Sequence, residues 1–113
     1  MDYVIDANKK RLGRLAVEIA HFLQGKTTAR YHPRLPGEGK IIVKNVRGIE
    51  IGGAKFTNKV YYRHTGYMGH LREKTYREEF IKSPARVLSR AVAHMLPKNR
   101  LLSVRLKRLV IEL

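Results

Sequence analysis

Apolar residues recur along this 113-residue chain in two periods, and the switches between them mark its elements. Short β-branched or aliphatic runs at Tyr3 to Ile5, Ile41 to Val43, Val60 to Tyr62 and Leu109 to Ile111 are bounded by polar or turn-forming residues. They predict four strands. Between the first two, Leu12, Leu15, Ala16, Ile19, Ala20 and Leu23 follow the spacing of a core-facing helix, and Gly25 suits its C-terminal stop. Ser83 as N-cap, with Pro84 next, opens a second helix. That helix puts Leu88, Ala91, Val92, Met95 and Leu96 on one stripe, with Arg86, Arg90 and His94 facing elsewhere. Thr75-Tyr76-Arg77-Glu78 has the form of a capping box, which predicts a short helix from Tyr76 to Lys82. The segment Lys98 to Arg105 could form another. Strands separated by helical segments, with near-continuous runs such as Ile41-Ile42-Val43, predict an α/β fold with a mainly parallel sheet covered on both faces.

Composition adds what the pattern cannot. Apolar residues make up 43% of the chain, enough for one packed core, so residues 1–113 are expected to form a single domain. Lysine and arginine number 24 against 9 acids, a net charge of +15, and the pI is about 10.6. Such an excess opposes compaction by self-repulsion and favours polyanionic partners over a small neutral substrate. The cations run from Lys9 to Arg108 and therefore belong to the folded domain. No stretch reaches the ~18 apolar residues of a membrane span, and the N-terminus lacks the pattern of a signal peptide. No membrane partner is expected. The absence of cysteine removes disulfides and thiolate metal sites and fits a reducing compartment.

Lys59-Val60-Tyr61-Tyr62-Arg63-His64-Thr65-Gly66-Tyr67-Met68-Gly69-His70 alternates cations, planar rings and turn glycines. Arginine can fork onto a phosphate, tyrosine and histidine offer stacking faces, and glycine lets the backbone approach a sugar-phosphate chain. The same stretch also suits a half-buried strand and a polar loop, and the net charge is what turns the reading toward RNA. Lys9-Lys10-Arg11 with Arg14 gathers four cations at a helix start, where the macrodipole disfavours them and a bound phosphate would relieve the conflict. Pro97-Lys98-Asn99-Arg100 sets two cations and an amide at a helix-to-helix corner.

Other chemistries fit less well. Gly25-Lys26-Thr27 looks like the end of a P-loop, but Ala20 stands where its first glycine is required, and the triplet follows a helix instead of opening one. His64 and His70 could act as acid and base in RNA cleavage with Lys59 or Arg63 stabilising the charge, yet no nearby carboxylate orients either. His21, His32 and His94 are too scattered for a metal site. No catalytic residue, cofactor or metal is expected.

The motifs accumulate into a resemblance. Asp6-Ala7, Leu12-Gly13-Arg14-Leu15-Ala16, Gly25-Lys26, Tyr31-x-Pro33, Ile42-Val43-x-Asn45, Gly53-x-Lys55, the Lys59 to Tyr67 stretch and Met95-Leu96-Pro97-Lys98-Asn99 together resemble the bacterial form of the universal large-subunit ribosomal protein numbered thirteen. The resemblance implies a three-layer α/β/α domain around a four-stranded, mainly parallel sheet. It implies a cytoplasmic structural constituent of the ribosome, bound to large-subunit rRNA beside neighbouring ribosomal proteins and incorporated early in assembly. Carried over by matching residues, the RNA-facing candidates are Arg14, Lys26, Lys55, Lys59, Arg63, His64, Tyr67, Lys98 and Asn99. Arg11, Arg72 and Arg100 join them on charge and position.

The chain departs from the family at Pro36-Gly37-Glu38-Gly39-Lys40, at Met68 and His70, at His94 and at Leu102, and stops at Leu113 before the usual His-Pro-His extension. A shortened member is therefore expected. An off-ribosome RNA-binding regulator is the alternative, although no helix-turn-helix or aromatic RNP sheet stands out to read sequence.

Overall fold

The computed structural model describes residues 2–51, 58–69 and 71–112. Strand β1 (Tyr3–Asp6) leads into helix α1 (Leu12–Gln24), which returns the chain to β2 (Ile41–Lys44) and a single 3-10 turn at Val46–Gly48. Then follow β3 (Val60–His64), β4 (Leu71–Thr75), α2 (Tyr76–Lys82), α3 (Pro84–Met95), α4 (Leu101–Lys107) and β5 (Leu109–Ile111).

All six apolar positions of the first predicted helix are buried. Gly25 ends that helix at φ 81°, with its N–H on the Phe22 carbonyl at 3.1 Å and the Lys26 N–H on that of His21 at 3.1 Å. This is a Schellman cap, and it needs a left-handed residue that glycine adopts without strain. Thr75 caps α2 by accepting the Glu78 N–H at 3.3 Å, as the capping box predicts. Pro84 begins α3 as expected, and Val87, Leu88 and Val92 face the core, whereas Ser83 makes no side-chain cap and Met95 points outward.

Strands β1, β2 and β5 form a parallel sheet in the order β1-β2-β5, with Tyr3 beside Ile41 and Ile41 beside Leu109. Period two then sends Ile5, Ile41 and Val43 into the core with α1 and α3. The opposite face carries Val4, Ile42 and Val110, and it stays open, with Val4 63% and Val110 39% exposed.

Two sequence expectations are corrected here. The α/β class holds, but the parallel sheet has three strands among the described residues instead of four, and Val4 and Val110 on its second face are exposed. The fourth predicted strand, β3, pairs antiparallel with β4 in a separate hairpin. Gly66 (φ 90°) and Gly69 (φ 76°) lie in the connection between them, so β3 finds a partner only a few residues away and closes a short loop instead of a long crossover.

Two arginines fasten the β2 approach. Arg105 is 2% exposed and donates to the Leu35 carbonyl at 3.1 Å. Arg108 donates from Nη1 to the Gly39 carbonyl at 2.9 Å, and from Nη2 to the carbonyls of Pro36 at 2.6 Å and of Leu23. Burial, and after it the Arg105 guanidinium, pulls the pKa of Arg108 below the usual guanidinium value. Gly37 fits into this clasp at φ 85°, where an added Cβ would lie 2.9 Å from the Leu23 carbonyl oxygen and 3.0 Å from Arg108 Nη2. Gly37→Ala is therefore expected to destabilise the fold by about 1–3 kcal/mol, from left-handed strain and the displaced guanidinium. Thermal unfolding checks this, and an unchanged midpoint would show that the 36–39 turn is not held as described.

Candidate nucleic-acid interface

The hairpin of β3 and β4 is where charge and exposure meet. Its base is anchored: the Tyr76 N–H donates to the Lys59 carbonyl at 2.7 Å, and the buried Tyr76 ring stacks on Phe80 at 5.6 Å. Burial, and behind it the neighbouring Tyr61, pushes the Tyr76 hydroxyl pKa up to about 12, so that tyrosine stays neutral. Beyond the base, residues 62–69 and 71–74 are exposed on both faces of the ribbon. The molecule measures 48 × 34 × 21 Å with a radius of gyration of 15.3 Å, larger than the ~13 Å of a compact 100-residue domain, as a projecting ribbon requires.

The register sorts the side chains. Arg63 stands opposite Arg72, and Tyr61 opposite Lys74, so these four share one face. Lys59 Nζ lies 5.4 Å and the Arg90 guanidinium 4.8 Å from the Tyr61 ring centroid. Burial raises the Tyr61 pKa, against the opposing effect of Arg90, which keeps the ring a neutral platform for both cations. Two cations thus flank one half-buried tyrosine, and Arg63, Arg72 and Lys74 hold neighbouring positions on the same face of the ribbon. Lys74 is partly engaged by the buried Glu79 at 3.9 Å. Arg63 and Arg72 have no acidic partner among the described residues. Two like charges directly opposite one another weaken an isolated ribbon, and an anion held between them reverses that sign.

The other face pairs Tyr62 with Glu73 and His64 with Leu71. His64 Nδ1 accepts the Gly66 N–H at 3.0 Å, which ties this histidine to the turn. Tyr67 and the 98% exposed Met68 sit at the tip.

The remaining sequence candidates fall elsewhere. Arg11 and Arg14 are exposed at the start of α1, where Arg11 is the N-cap residue and the Leu12 N–H is taken by the Glu50 carbonyl at 3.0 Å. Lys26 lies past the end of α1 with its Nζ 6.0 Å from the Tyr31 ring centroid. Lys98, Asn99 and Arg100 form the exposed α3–α4 corner, where Asn99 Oδ1 accepts the Leu101 N–H at 3.0 Å and so helps start α4. Lys55 and His70 lie outside the described residues. Lys59, Arg63 and Arg72 are thus brought together on one face of the hairpin, His64 and Tyr67 lie on the other face and the tip of the same hairpin, and the remaining described candidates form separate patches. Sequence reasoning missed Lys74 and Arg90. Lys74 could have been found by its alternation with Arg72 once β4 is taken as a strand, while Arg90 joins only through tertiary packing.

Among the described residues no group of three or more ligating side chains could hold a metal ion, and no helix is long and apolar enough to cross a membrane. The fold and these surfaces define a class, that of small, strongly basic α/β proteins presenting an outward cationic ribbon. The chain belongs to the family described as Ribosomal protein L13, whose profile matches residues 1–111. It is similar to proteins named Large ribosomal subunit protein uL13. That of Rubrobacter xylanophilus is 46% identical over 107 residues, covering 95% of this chain and 75% of its own. That of Clostridioides difficile is 45% identical with the same coverage, and that of Alkalilimnicola ehrlichii 43%.

Proposed function

We propose that this protein is a structural, non-catalytic constituent of the large ribosomal subunit that binds large-subunit rRNA and supports early subunit assembly in the cytoplasm. The observation that carries the reading is the Arg63–Arg72 pair, two exposed arginines at directly opposed positions of a projecting ribbon with no acidic partner among the described residues. Phosphate is the anion that suits a bidentate guanidinium pair, and RNA supplies phosphates in a row. Lys59 belongs to the same contact. Arg11, Arg14, Lys26, Lys55, His64, Tyr67, Lys98, Asn99 and Arg100 are assigned to further RNA contacts, which lets one domain be held by several RNA segments at once. Family membership supports neighbouring large-subunit proteins as the other partners.

Sedimentation of a lysate from the source cells tests this. The protein is expected with large subunits at physiological salt and to dissociate as salt rises, because each neutralised phosphate releases counterions on binding. Recovery only in ribosome-free fractions would refute the proposal. With purified protein and an rRNA fragment, Lys98→Ala is expected to weaken binding and reduce the salt slope by about one. An unchanged slope removes the α3–α4 corner from the interface.

A further inference from the structure

A second feature lies away from the hairpin. Where the chain leaves α1, the segment 25–38 wraps back toward β1 and encloses a pocket of about 460 Å³, within the range of small-ligand sites. Its walls include Tyr3 and Phe22, whose rings lie 4.5 Å apart, together with Tyr31, His32 and the buried residue Gln24. Three rings and an imidazole on one pocket are unusual in a chain with only 8% aromatic residues. Arg30 and Glu38 line the same pocket, and Lys26 stands beside its Tyr31 wall, so two cations and one acid surround it.

We infer that this pocket takes one unstacked nucleobase from a single-stranded stretch of RNA, stacked on Tyr31, with the attached phosphate met by Lys26 and Arg30. The inference rests on the RNA-binding reading above and adds a base-recognising element to it. Aromatic walls suit the π-face that every base carries, and a primary amide offers both a donor and an acceptor to a base edge. Arg30 and Lys26 outnumber Glu38 around the pocket, which favours a nucleotide over an apolar peptide side chain that has no charge to place there. A base inside a duplex cannot enter, so the pocket selects loops, bulges and ends.

The test compares a short labelled single-stranded RNA with an RNA duplex of equal phosphate number, by fluorescence anisotropy on wild-type protein, Tyr31→Ala and Tyr31→Phe. Tyr31 is 39% exposed on a loop, so both variants are expected to unfold at the wild-type temperature, which a melt verifies. Tyr31→Ala is expected to weaken single-strand binding by about 5- to 150-fold, the range that base–aromatic stacking supports, and to leave duplex binding unchanged. Tyr31→Phe keeps the ring and the affinity. A 2-aminopurine in the single strand is expected to lose fluorescence on binding wild type and Tyr31→Phe but not Tyr31→Ala. Equal losses on both RNAs, or none on either, would overturn the pocket assignment while leaving RNA binding standing. Failure of wild-type protein to bind the duplex as well would overturn the RNA reading itself.

Discussion

Replacing Arg63 and Arg72 together by alanine is expected to lower affinity for large-subunit rRNA by on the order of a hundred-fold at low salt, each charged hydrogen-bonding contact being worth about 1.5–3 kcal/mol. The slope of affinity against salt should fall by about two, one for each phosphate released from neutralisation. Stability is expected to move the other way or not at all. The two arginines occupy directly opposed positions of the β3–β4 ladder, and removing like charges from such positions relieves the ribbon. A loss of binding without a loss of melting temperature separates an RNA contact from a structural role. Unchanged affinity in the double variant would exclude this face.

That pair was half legible in the sequence. Arg63 lies in a run of rings and cations that reads as RNA-facing, but its counterpart Arg72 could be included only on charge and position. The reason is physical. Sequence patterns reveal strands where one face is buried, and Leu71-Arg72-Glu73-Lys74-Thr75 is exposed along nearly its whole length, so no apolar alternation marks it. The same blindness put β3 into the parallel sheet. Its Val60 and Tyr61 are only half-buried, and nothing local distinguishes a sheet member from one leg of a hairpin.

The elements whose packing is periodic were read correctly. Helix α1 buries the six residues its spacing names, and β1, β2 and β5 coincide with three of the four aliphatic runs. The open face of the sheet was not foreseen, because Val4, Ile42 and Val110 are as apolar as the residues that are buried. Continuous aliphatic strands say that both faces can be covered, and they are silent on whether this chain covers them. The Tyr31 pocket escaped for a related reason: Tyr3, Phe22 and Tyr31 are separated in sequence and meet only because α1 and the turn after it bring them together.

Arg108 escaped reading altogether, since arginine is by default a surface residue, and replacing it is expected to produce the largest loss of stability among the charged positions. Its guanidinium holds the carbonyls of Leu23, Pro36 and Gly39. The Leu23 carbonyl is among the last four of α1, which have no partner within the helix, and it sits at the negative end of the helix dipole. Arg108→Ala leaves these carbonyls without their donor and opens the turn that Gly37 fits into. A loss of about 3 kcal/mol is expected, lowering the melting temperature by about 10 °C or more for a chain of this size. Relief of the self-repulsion behind a net charge of +15 works against this, but one charge among so many weighs less than three part-buried hydrogen bonds. Arg108→Lys separates the two contributions. Lysine keeps the charge at the end of α1 but lacks the planar fork that spans diverging carbonyls, so an intermediate loss is expected. Full recovery with lysine would mean that charge alone holds the turn, and a wild-type melt for alanine would mean that the clasp does not hold it. Because Leu35, Pro36 and Gly37 also line the Tyr31 pocket, the alanine variant should bind single-stranded RNA more weakly even below its melting temperature, with duplex binding at the hairpin retained.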